Sequence, residues 1–248
     1  MTPGDAQGCS PLAWNTVTAN PGDVMSHAEM CAIERMSLQR GMNFRPGGRR
    51  SVILMSVRKG APYADPLEES GRVLIYEGHD VNRTQDGPNT KSVDQPEFLP
   101  SGTPTQNGRF AAAARAFAAS KKEAELVNVY EKIKTGIWTF NGVFELCDAW
   151  TETADDRIVF KFKLQLTDQP GPDTPSGVAD LPHNRMIPSS VKREVWQRDS
   201  GKCVTCGSED NLHFDHILPF SKGGTSVVTE NIQLLCARHN LAKSDRIQ

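Results

Sequence analysis

Hydrophobic and polar positions alternate along much of the first two thirds of this 248-residue chain. Runs rich in β-branched and aromatic residues predict strands at 51–57, 71–78, 135–150 and 156–166. Helical spacing and capping residues predict helices at 23–39 with Asp23 as N-cap, at 108–127 and at 189–199. Strands dominate the N-terminal part with helices packed alongside, which predicts an α+β fold.

A proline-rich segment, QPGPDTPSGVADLPHNRMIP at 169–188, interrupts these patterns. Its five prolines favour extended, poorly packed backbone, so we expect a linker here. The linker divides the chain into an N-terminal domain at 1–168 and a C-terminal domain at 189–248. A chain of this length suits two domains of modest size.

Composition narrows the class of protein. Hydrophobic residues make up 38% of the chain, enough for packed cores, and no apolar run reaches the roughly 20 residues that span a bilayer. The first residues, MTPGDAQGCS, have neither the basic nor the apolar region of a secretory signal, so we expect a cytoplasmic protein without a membrane partner. The net charge of −2 does not indicate a nucleic-acid partner, although binding depends on where charges lie rather than on their sum.

Four potential metal ligands lie near the C-terminus, in two pairs with two-residue spacers. Cys203 and Cys206 form one pair, and Cys236 and His239 form the other. Such spacers let both members of a pair reach one ion, and zinc prefers four sulfur or nitrogen ligands. We therefore expect a closed, structural Zn²⁺ site that ties two loops together in a domain with a small core. Unrelated thiols and a redox-active CxxC are the alternatives, and the lack of a βαβ pattern weighs against the second.

The segment that contains these pairs resembles the HNH endonuclease family. The family signature has a His, an Asn fifteen positions on and a His or Asn nine beyond that, and His216, Asn231 and Asn240 fit this spacing. Asp215 supplies the acidic residue usual before the first His, and Gly223-Gly224 lies where the family turns. The resemblance covers about 189–246 and implies a ββα-metal domain.

The resemblance implies a role for each of these residues. His216 would be the general base that deprotonates water, and Asn231 would accept a hydrogen bond from its far ring N–H. Asp215 and Asn240 would hold one catalytic Mg²⁺ or Mn²⁺ through oxygen atoms, next to the scissile phosphate. The products would carry 5′-phosphate and 3′-hydroxyl ends.

Two side chains near this motif have open roles. Lys243, one helical turn past Asn240, is expected either to contact a DNA phosphate or to be solvated. His213 should point the same way along a strand as Asp215. We expect His213 to be a surface or phosphate-contacting histidine rather than a metal ligand.

The N-terminal part resembles the SRA (YDG) family, whose members recognise modified cytosine by base flipping. The resemblance runs from about 50 to 166 and rests on GAPYADPLEESGRVLIYEGHD at 60–80, Asp94-Gln95, Thr105-x-Asn107, Phe140-Asn141-Gly142 and the closing VFKFKLQL. The Tyr-Asp-Gly triplet of the family appears here as Phe140-Asn141-Gly142. The resemblance implies a PUA-like twisted β-barrel with flanking helices.

A protein that inspects a base inside a duplex must extrude the base, stack it and hydrogen-bond its Watson–Crick edge. By the resemblance, Tyr63 and Tyr76 would sandwich the flipped cytosine, and Asp65 would accept from its amino group. Backbone groups around four residues would complete recognition of the edge: Gly60, Ala61, Glu77 and Gly78. The loop that intercalates into DNA is expected at 79–84, with Arg83 as a contact. Without the resemblance, both tyrosines would be interpreted as core or surface aromatics.

Together the two resemblances predict a modification-dependent, type IV-like restriction endonuclease of the bacterial cytoplasm. Its substrate would be double-stranded DNA that contains 5-methylcytosine or 5-hydroxymethylcytosine, and cutting both strands with one site per chain favours a homodimer. A flexible linker would let the cuts fall at a variable distance from the modified base. Two alternatives stay open: a non-catalytic modified-DNA reader whose HNH module is a zinc-stabilised clamp, and a nuclease whose PUA-like domain binds RNA.

Overall fold

The structure is a computed structural model that describes residues 18–55, 72–81, 89–172, 186–219 and 222–243. The described elements of the N-terminal domain are β1 (Val24–Ser26), α1 (His27–Glu34), β2 (Met42–Asn43), β3 (Ser51–Met55), β4 (Val73–Glu77), α2 (Gln106–Ala118), β5 (Glu125–Lys134), β6 (Ile137–Ala154) and β7 (Arg157–Leu166). Those of the C-terminal domain are α3 (Ser189–Arg198), β8 (Leu212–His216), β9 (Ile232–Cys236) and α4 (Ala237–Lys243). Within these ranges no helix is long and apolar enough to cross a membrane.

The strands of the N-terminal domain form one curled sheet, an open half-barrel. The strand order is β2-β3-β5-β6-β7-β4, and β1 also pairs with β6. Strands β3 and β5 are parallel, whereas the other described pairs are antiparallel. The 18-residue strand β6 carries register shifts against both of its long neighbours, and such bulges bend a strand and increase its twist. The predicted α+β class is confirmed.

The two faces of this sheet bury separate apolar clusters, each covered by a helix. Along β3, Ile53 and Met55 belong to the cluster beneath α2, whereas Val52 and Leu54 belong to the cluster beneath α1. This alternation is the two-residue period of a strand that is buried on both sides. The buried alanines of α2, including Ala114, let that helix lie close to the sheet.

Helix α1 is shorter than the sequence predicts and has a different N-cap. The Ser26 hydroxyl accepts from the Glu29 amide, and the Glu29 carboxylate accepts from the Ser26 amide, which is a capping box. The helix ends at Glu34, because Arg35 takes a left-handed conformation. The prediction of Asp23 as N-cap is therefore wrong, since this residue lies before β1.

The second predicted helix also ends early, and the strand after it was missed. Helix α2 stops at Ala118, and residues from Glu125 onward form β5 between β3 and β6. Val127 and Val129 are fully buried there. The alanines upstream favour continuing the helix, but burial at the centre of the sheet outweighs this preference from Glu125 onward.

The C-terminal domain is built on the antiparallel hairpin of β8 and β9. Asp215 lies opposite Gln233, and His216 lies opposite Ile232. Helices α3 and α4 pack against the hairpin, and Arg198 at the end of α3 donates to the Ile232 carbonyl. The predicted helix at 189–199 is thus confirmed as α3, and Asp215 and His216 come to the end of β8 that faces α4.

Both described ends of the predicted linker are packed. Gly171 and Pro172 are buried, and a Cβ added at Gly171 would lie 1.9 Å from the carbonyl oxygen of Ala19. On the other side, Met186 joins the apolar cluster beneath α2, and Ile187 joins the core of the C-terminal domain. Residues 173–185 lie outside the described ranges, and the chain is fixed on either side of them.

Candidate nuclease site and base pocket

The four predicted metal ligands of the C-terminal domain converge at one point. One ligand atom from each of Cys203, Cys206, Cys236 and His239 lies within 4.8 Å of all the others. The Cys206 and Cys236 sulfurs are 3.8 Å apart, and His239 Nδ1 lies 3.3 Å from the Cys236 sulfur. Two sulfurs bound about 2.3 Å from one tetrahedral ion are about 3.8 Å apart. The group therefore fits a single zinc ion with all four positions filled by the protein.

The backbone at this group favours the thiolate form that binds metal. Burial alone raises the pKa of the Cys203 thiol, but backbone N–H donors from Cys236, Cys206 and Thr205 outweigh burial and lower this pKa to about 6. An ion held here would join the loop at 203–206 to the junction of β9 and α4. Because Asn240 directly follows His239, the same ion would fix the start of the helix that carries Asn240.

Asp215, His216 and Asn240 line one cavity of about 650 Å³. Asp215 and His216 come from the end of β8, and Asn240 comes from α4. The carboxylate of Asp215 and the amide of Asn240 offer the oxygen ligands that Mg²⁺ and Mn²⁺ prefer, so the donor set fits one hard divalent cation. The structure brings three of the four residues of the predicted nuclease site to one opening.

His216 is largely buried, and one ring nitrogen has a partner that the sequence did not suggest. Its Nε2 lies 2.9 Å from the Oγ of Ser226, a buried serine in the loop before β9. Burial lowers the pKa of His216 below its ordinary value of 6.5, the Asp215 carboxylate opposes this, and the Lys243 ammonium adds to it. The imidazole is therefore neutral at pH 7, the form that a general base requires.

The fourth residue, Asn231, does not contact the imidazole of His216. Its Oδ1 accepts from the Leu218 amide at 2.8 Å, and its Nδ2 donates to the carbonyls of Leu218 and Thr225 at 3.1 and 2.9 Å. The prediction that Asn231 orients the ring is wrong, because the loop after β8 occupies its carboxamide. Gly224 belongs to the same arrangement, since a Cβ there would lie 2.9 Å from Asn231 Nδ2 and 1.8 Å from the Leu218 carbonyl oxygen.

Lys243 is neither solvated nor directed at DNA. Its side chain is 2% exposed, its Nζ lies 2.8 Å from the Asp215 Oδ2, and it donates to the His216 carbonyl. Both predicted roles for Lys243 are therefore corrected. The helix places it one turn past Asn240, and its long stem reaches back to β8 from there. It fixes one carboxylate oxygen of Asp215 and the backbone of the neighbouring histidine.

His213 contacts the N-terminal domain and lines the same cavity as Asp215, which agrees with its position two residues earlier on β8. Its Nδ1 lies 2.5 Å from the Oδ1 of Asp23, and the two residues also form a short antiparallel bridge. The side chain is 18% exposed, which corrects the prediction of a surface histidine, whereas a contact with phosphate stays a prediction. The strand β8 therefore carries the candidate nuclease residues and also touches the other domain.

A second cavity of about 650 Å³ opens in the N-terminal domain. Leu54, at the end of β3, and Tyr76, in β4, both line it, together with His79 and Trp138. Tyr76 itself is 1% exposed and belongs to the cluster beneath α2. Leu54 and Tyr76 flank in sequence the segment that holds four predicted base-binding residues, but Gly60, Ala61, Tyr63 and Asp65 lie outside the described residues, as does Arg83.

The two residues after Tyr76 that were predicted to bind the base, Glu77 and Gly78, make ion pairs and hydrogen bonds within the protein. The Glu77 carboxylate is buried and pairs with Arg157 and Lys161. The Gly78 amide donates to the Phe160 carbonyl, and the Gly78 carbonyl accepts from the Gln95 side chain. The Gly78 N–H is therefore not available to a base, which corrects that part of the prediction.

The backbone that follows Tyr76 is held by residues of the motifs quoted for the SRA resemblance. Asn107 accepts from the His79 amide and donates to the His79 carbonyl, both at 2.8 Å. Gln95 bonds Gly78 and the Phe160 amide. A Cβ added at Gly78 would lie 2.6 Å from the Gln95 Oε1, so only glycine packs there. These motif residues do not line the cavity themselves but hold the backbone of the residues that do.

His79 is the first residue of the loop predicted to intercalate into DNA, and it lines this cavity. Its Nε2 lies 3.2 Å from the Tyr76 hydroxyl. Burial lowers the pKa of His79 to about 4, with Asp80 opposing and Arg40 and Lys91 adding to this effect, so its imidazole is neutral at pH 7. Its place in the cavity wall could have been predicted from its position directly after the Tyr-Glu-Gly triplet, because a residue there follows the strand into the loop.

Comparisons with known proteins find one family model and several similar solved structures. Residues 203–246 match the family model described as HNH endonuclease. Similar solved structures include the SUVH5 SRA domain in complex with methylated CHH DNA, which is 20% identical, with 65% of this chain and 95% of that chain covered and a TM-score of 0.42. The modification-dependent TagI restriction endonuclease is 19% identical, with 90% of this chain and 76% of that chain covered and a TM-score of 0.37. The sequence comparison with curated proteins gives no match.

Proposed function

We propose that this protein is a modification-dependent endonuclease that acts on double-stranded DNA. Its N-terminal domain captures a flipped 5-methylcytosine or 5-hydroxymethylcytosine, and its C-terminal domain hydrolyses a nearby phosphodiester bond. The observation that carries the proposal is the convergence of Asp215, His216 and Asn240 on one cavity, in the segment that matches the HNH endonuclease model. The biological role is type IV-like restriction of modified foreign DNA in the bacterial cytoplasm.

In this proposal His216 is the general base for the attacking water. In the tautomer that donates Nε2–H to Ser226, Nδ1 carries the lone pair that takes the proton, and no described residue bonds it. Asn231 contributes by fixing the loop from Leu218 to Thr225, which includes the turn at Gly224. The products carry 5′-phosphate and 3′-hydroxyl ends.

The proposed ions have separate tasks. Zinc in the Cys₃His group stabilises the fold of the C-terminal domain. Asp215 and Asn240 would hold Mg²⁺ or Mn²⁺, which when bound stabilises charge on the scissile phosphate and on the leaving 3′ oxygen. Lys243 keeps the Asp215 carboxylate oriented through its Oδ2, and Oδ1 would be the oxygen offered to the cation.

The proposed base pocket is the cavity of the N-terminal domain. Tyr76 forms part of its wall, and by the SRA resemblance Tyr63 stacks on the other side of the base while Asp65 accepts from its amino group. Gly60 and Ala61 complete the recognition of the edge. The loop at 79–84, with Arg83, fills the place that the flipped base leaves in the duplex.

Cleavage of matched duplexes tests the proposal. The duplexes carry cytosine, 5-methylcytosine or 5-hydroxymethylcytosine at one position, and Mg²⁺ or Mn²⁺ is supplied. Cutting confined to modified duplexes is expected. His216→Ala should abolish cutting and leave binding to the modified duplex intact. Equal cutting of all three duplexes would disprove the base-recognition role and keep the nuclease.

The two other functional readings give different results in the same assay. Binding to modified DNA without cutting by the wild-type protein would favour the zinc-stabilised clamp. Preferential binding to RNA would favour the PUA-like alternative. A cutting rate that rises more steeply than linearly with protein concentration would indicate that two chains meet on the DNA, as the proposed homodimer requires.

A further inference from the structure

The C-terminal domain is attached to the N-terminal sheet by the strand that carries the candidate nuclease residues. The Phe214 amide donates to the Gly22 carbonyl at 3.0 Å, and the Gly22 amide donates to the Phe140 carbonyl at 2.8 Å. A single residue therefore joins β8 to β6 through the backbone. Gly22 has φ +95°, and a Cβ there would lie 2.9 Å from the Phe214 carbonyl oxygen, so the approach requires glycine. Asp215 follows Phe214 directly.

A second attachment lies on α3, where a buried lysine crosses from one domain to the other. Lys192 is 3% exposed, and its Nζ donates to the Glu131 Oε2 at 2.8 Å and to the Asn141 Oδ1 at 2.5 Å. Asn141 Nδ2 donates in turn to the same Glu131 oxygen at 3.3 Å. Lysine, glutamate and asparagine thus form a closed triangle inside the interface.

The shape of β6 explains how Asn141 reaches this triangle. Val129 lies opposite Gly142 and Tyr130 lies opposite Phe140, so Asn141 is the extra residue of a β-bulge. A bulge redirects a side chain out of the regular alternation. Asn141 is also the neutral member of the set, so one ammonium faces one carboxylate and the buried charges balance. A carboxylate at this position would add a second negative charge to the interface.

A buried ion pair of this kind contributes little to the net free energy of folding, but it restricts how the two domains can be placed relative to each other. Removing both charges from water costs about as much as their attraction returns, and replacing such pairs by apolar residues is often neutral. The pair at Lys192 is also incompletely satisfied, because Glu131 Oε1 has no hydrogen-bond partner among the described residues. An arrangement that kept both side chains buried but moved them apart would leave each charge without its partner, so the triangle favours this docked geometry over other docked ones.

The nuclease cavity spans the same interface. Asp215, His216 and Asn240 form one part of its wall, and Asn141 and Lys192 form another. A phosphate in this cavity beside His216 would therefore lie close to residues of the N-terminal domain. We propose that Lys192 is a positioning residue: with Glu131 and Asn141 it locks the nuclease site at one offset from the base pocket, so that cuts fall at a fixed distance from the modified base. This rests on the proposed function and reverses the variable distance that the linker alone predicts.

Two measurements on the full chain test the lock, one without DNA and one with it. Lys192→Met keeps most of the stem but strands the Glu131 carboxylate, which favours separation of the domains. Amide hydrogen exchange at Phe214 is expected to become at least about tenfold faster in this variant, because breaking a buried pair is strongly destabilising to what it holds together. Lys202→Met is the matched control, since Lys202 is exposed on the same domain and, among the described residues, pairs with the exposed Glu209. Zinc content verifies that the C-terminal domain of each variant is folded.

Mapping of cut positions on a duplex with one modified cytosine is the second measurement. The wild type and Lys202→Met should each give one main position per strand, and Lys192→Met should lose it in favour of several neighbouring positions. The double variant Lys192→Met with Glu131→Gln removes the stranded charge, so it should regain protection at Phe214, but its cuts should stay dispersed because no buried ion pair is left to select one geometry. Dispersed cuts by the wild type, or a single position and unchanged exchange in Lys192→Met, would overturn the proposal. A double variant that recovers the single main position would assign the constraint to packing alone and also overturn the proposal.

The two measurements separate this proposal from the one on which it rests. If the wild type cut plain and modified duplexes alike, the proposed recognition of modified cytosine would fail, while exchange at Phe214 would still report on the lock. If cutting were confined to modified DNA but dispersed, the recognition would stand and the lock would fail.

Discussion

Replacing Asn231 by aspartate tests whether this side chain holds the loop after β8 or orients the imidazole of His216. The change keeps the shape and the acceptor for the Leu218 amide, but it removes the two bonds that Nδ2 donates to the carbonyls of Leu218 and Thr225. A typical hydrogen bond contributes about 0.5–1.5 kcal/mol, so these losses amount to about 1–3 kcal/mol. A carboxylate that faces two carbonyl oxygens adds to the cost, and we expect a total of about 2–4 kcal/mol.

Thermal unfolding and the pH profile of cleavage distinguish the two roles. We expect Asn231→Asp to lower the melting temperature of the C-terminal domain by about 4–8 °C for each kcal/mol lost. Cleavage should slow at all pH values without a shift of the profile, because the partner of the His216 ring is Ser226. Asn89→Asp is the control, since its Oδ1 accepts from the Lys91 amide and aspartate keeps that acceptor. A shifted pH profile with unchanged stability would refute the reasoning and restore the role that the sequence predicts.

Three further predictions follow from the sites. Because burial lowers the pKa of His216, cleavage should rise with pH, reach half its maximum below 6.5 and be flat through neutrality in a pH–rate measurement, whereas a midpoint above 7 would exclude this base. Elemental analysis should find one zinc per chain, and a strong chelator should unfold the C-terminal domain, as followed by amide exchange at β9; retention of the fold without metal would contradict a structural site. Tyr76→Leu should weaken binding to a modified duplex by roughly 10- to 100-fold, the worth of one stacked base, while Tyr76→Phe should bind within a few-fold of wild type; equal loss in both would point to the hydroxyl near His79 instead.

The metal group and the ends of the nuclease motif could be predicted because their chemistry fixes both residue type and spacing. Two cysteines separated by two residues can reach one ion whatever the rest of the chain does. Asp215 and His216 are neighbours on one strand, and Asn240 follows the zinc ligand His239 directly, so the positions of all three depend on short stretches of chain. Long-range packing did not have to be known.

The roles of Asn231 and Lys243 could not be predicted in the same way. Spacing places Asn231 near the site, but its partners depend on the path of the loop at Leu218 and Thr225. The charge of Lys243 suggests solvent or DNA, yet the residue is buried because α4 turns it towards Asp215. Hydrogen-bond partners and burial are set by tertiary structure, which a motif does not contain.

The contact between the domains could not be predicted from the sequence either, because it joins residues that are far apart along the chain. Lys192 meets Glu131 across 61 residues, and His213 meets Asp23 across 190. Each of these residues by itself is an ordinary charged or polar position, and the prolines between the domains favour an interpretation as a free linker. Only the folded chain shows that residues on either side of 173–185 are packed against the domains.

The backbone of Gly22 has a consequence for the construction of hybrid enzymes. The amide of this one residue donates to the sheet of the N-terminal domain, and its carbonyl accepts from the strand of the C-terminal domain. The two sheets are therefore connected through backbone hydrogen bonds at that point. A chimaera joined within 173–185 would therefore place a foreign nuclease against a strand whose shape fits Phe214 and His213. A transplant that is to keep its cutting pattern must carry β1 and the β5–β6 bulge with its buried Asn141. The residues that must be transferred together are therefore discontinuous in sequence, whereas the nuclease motif itself is one continuous segment.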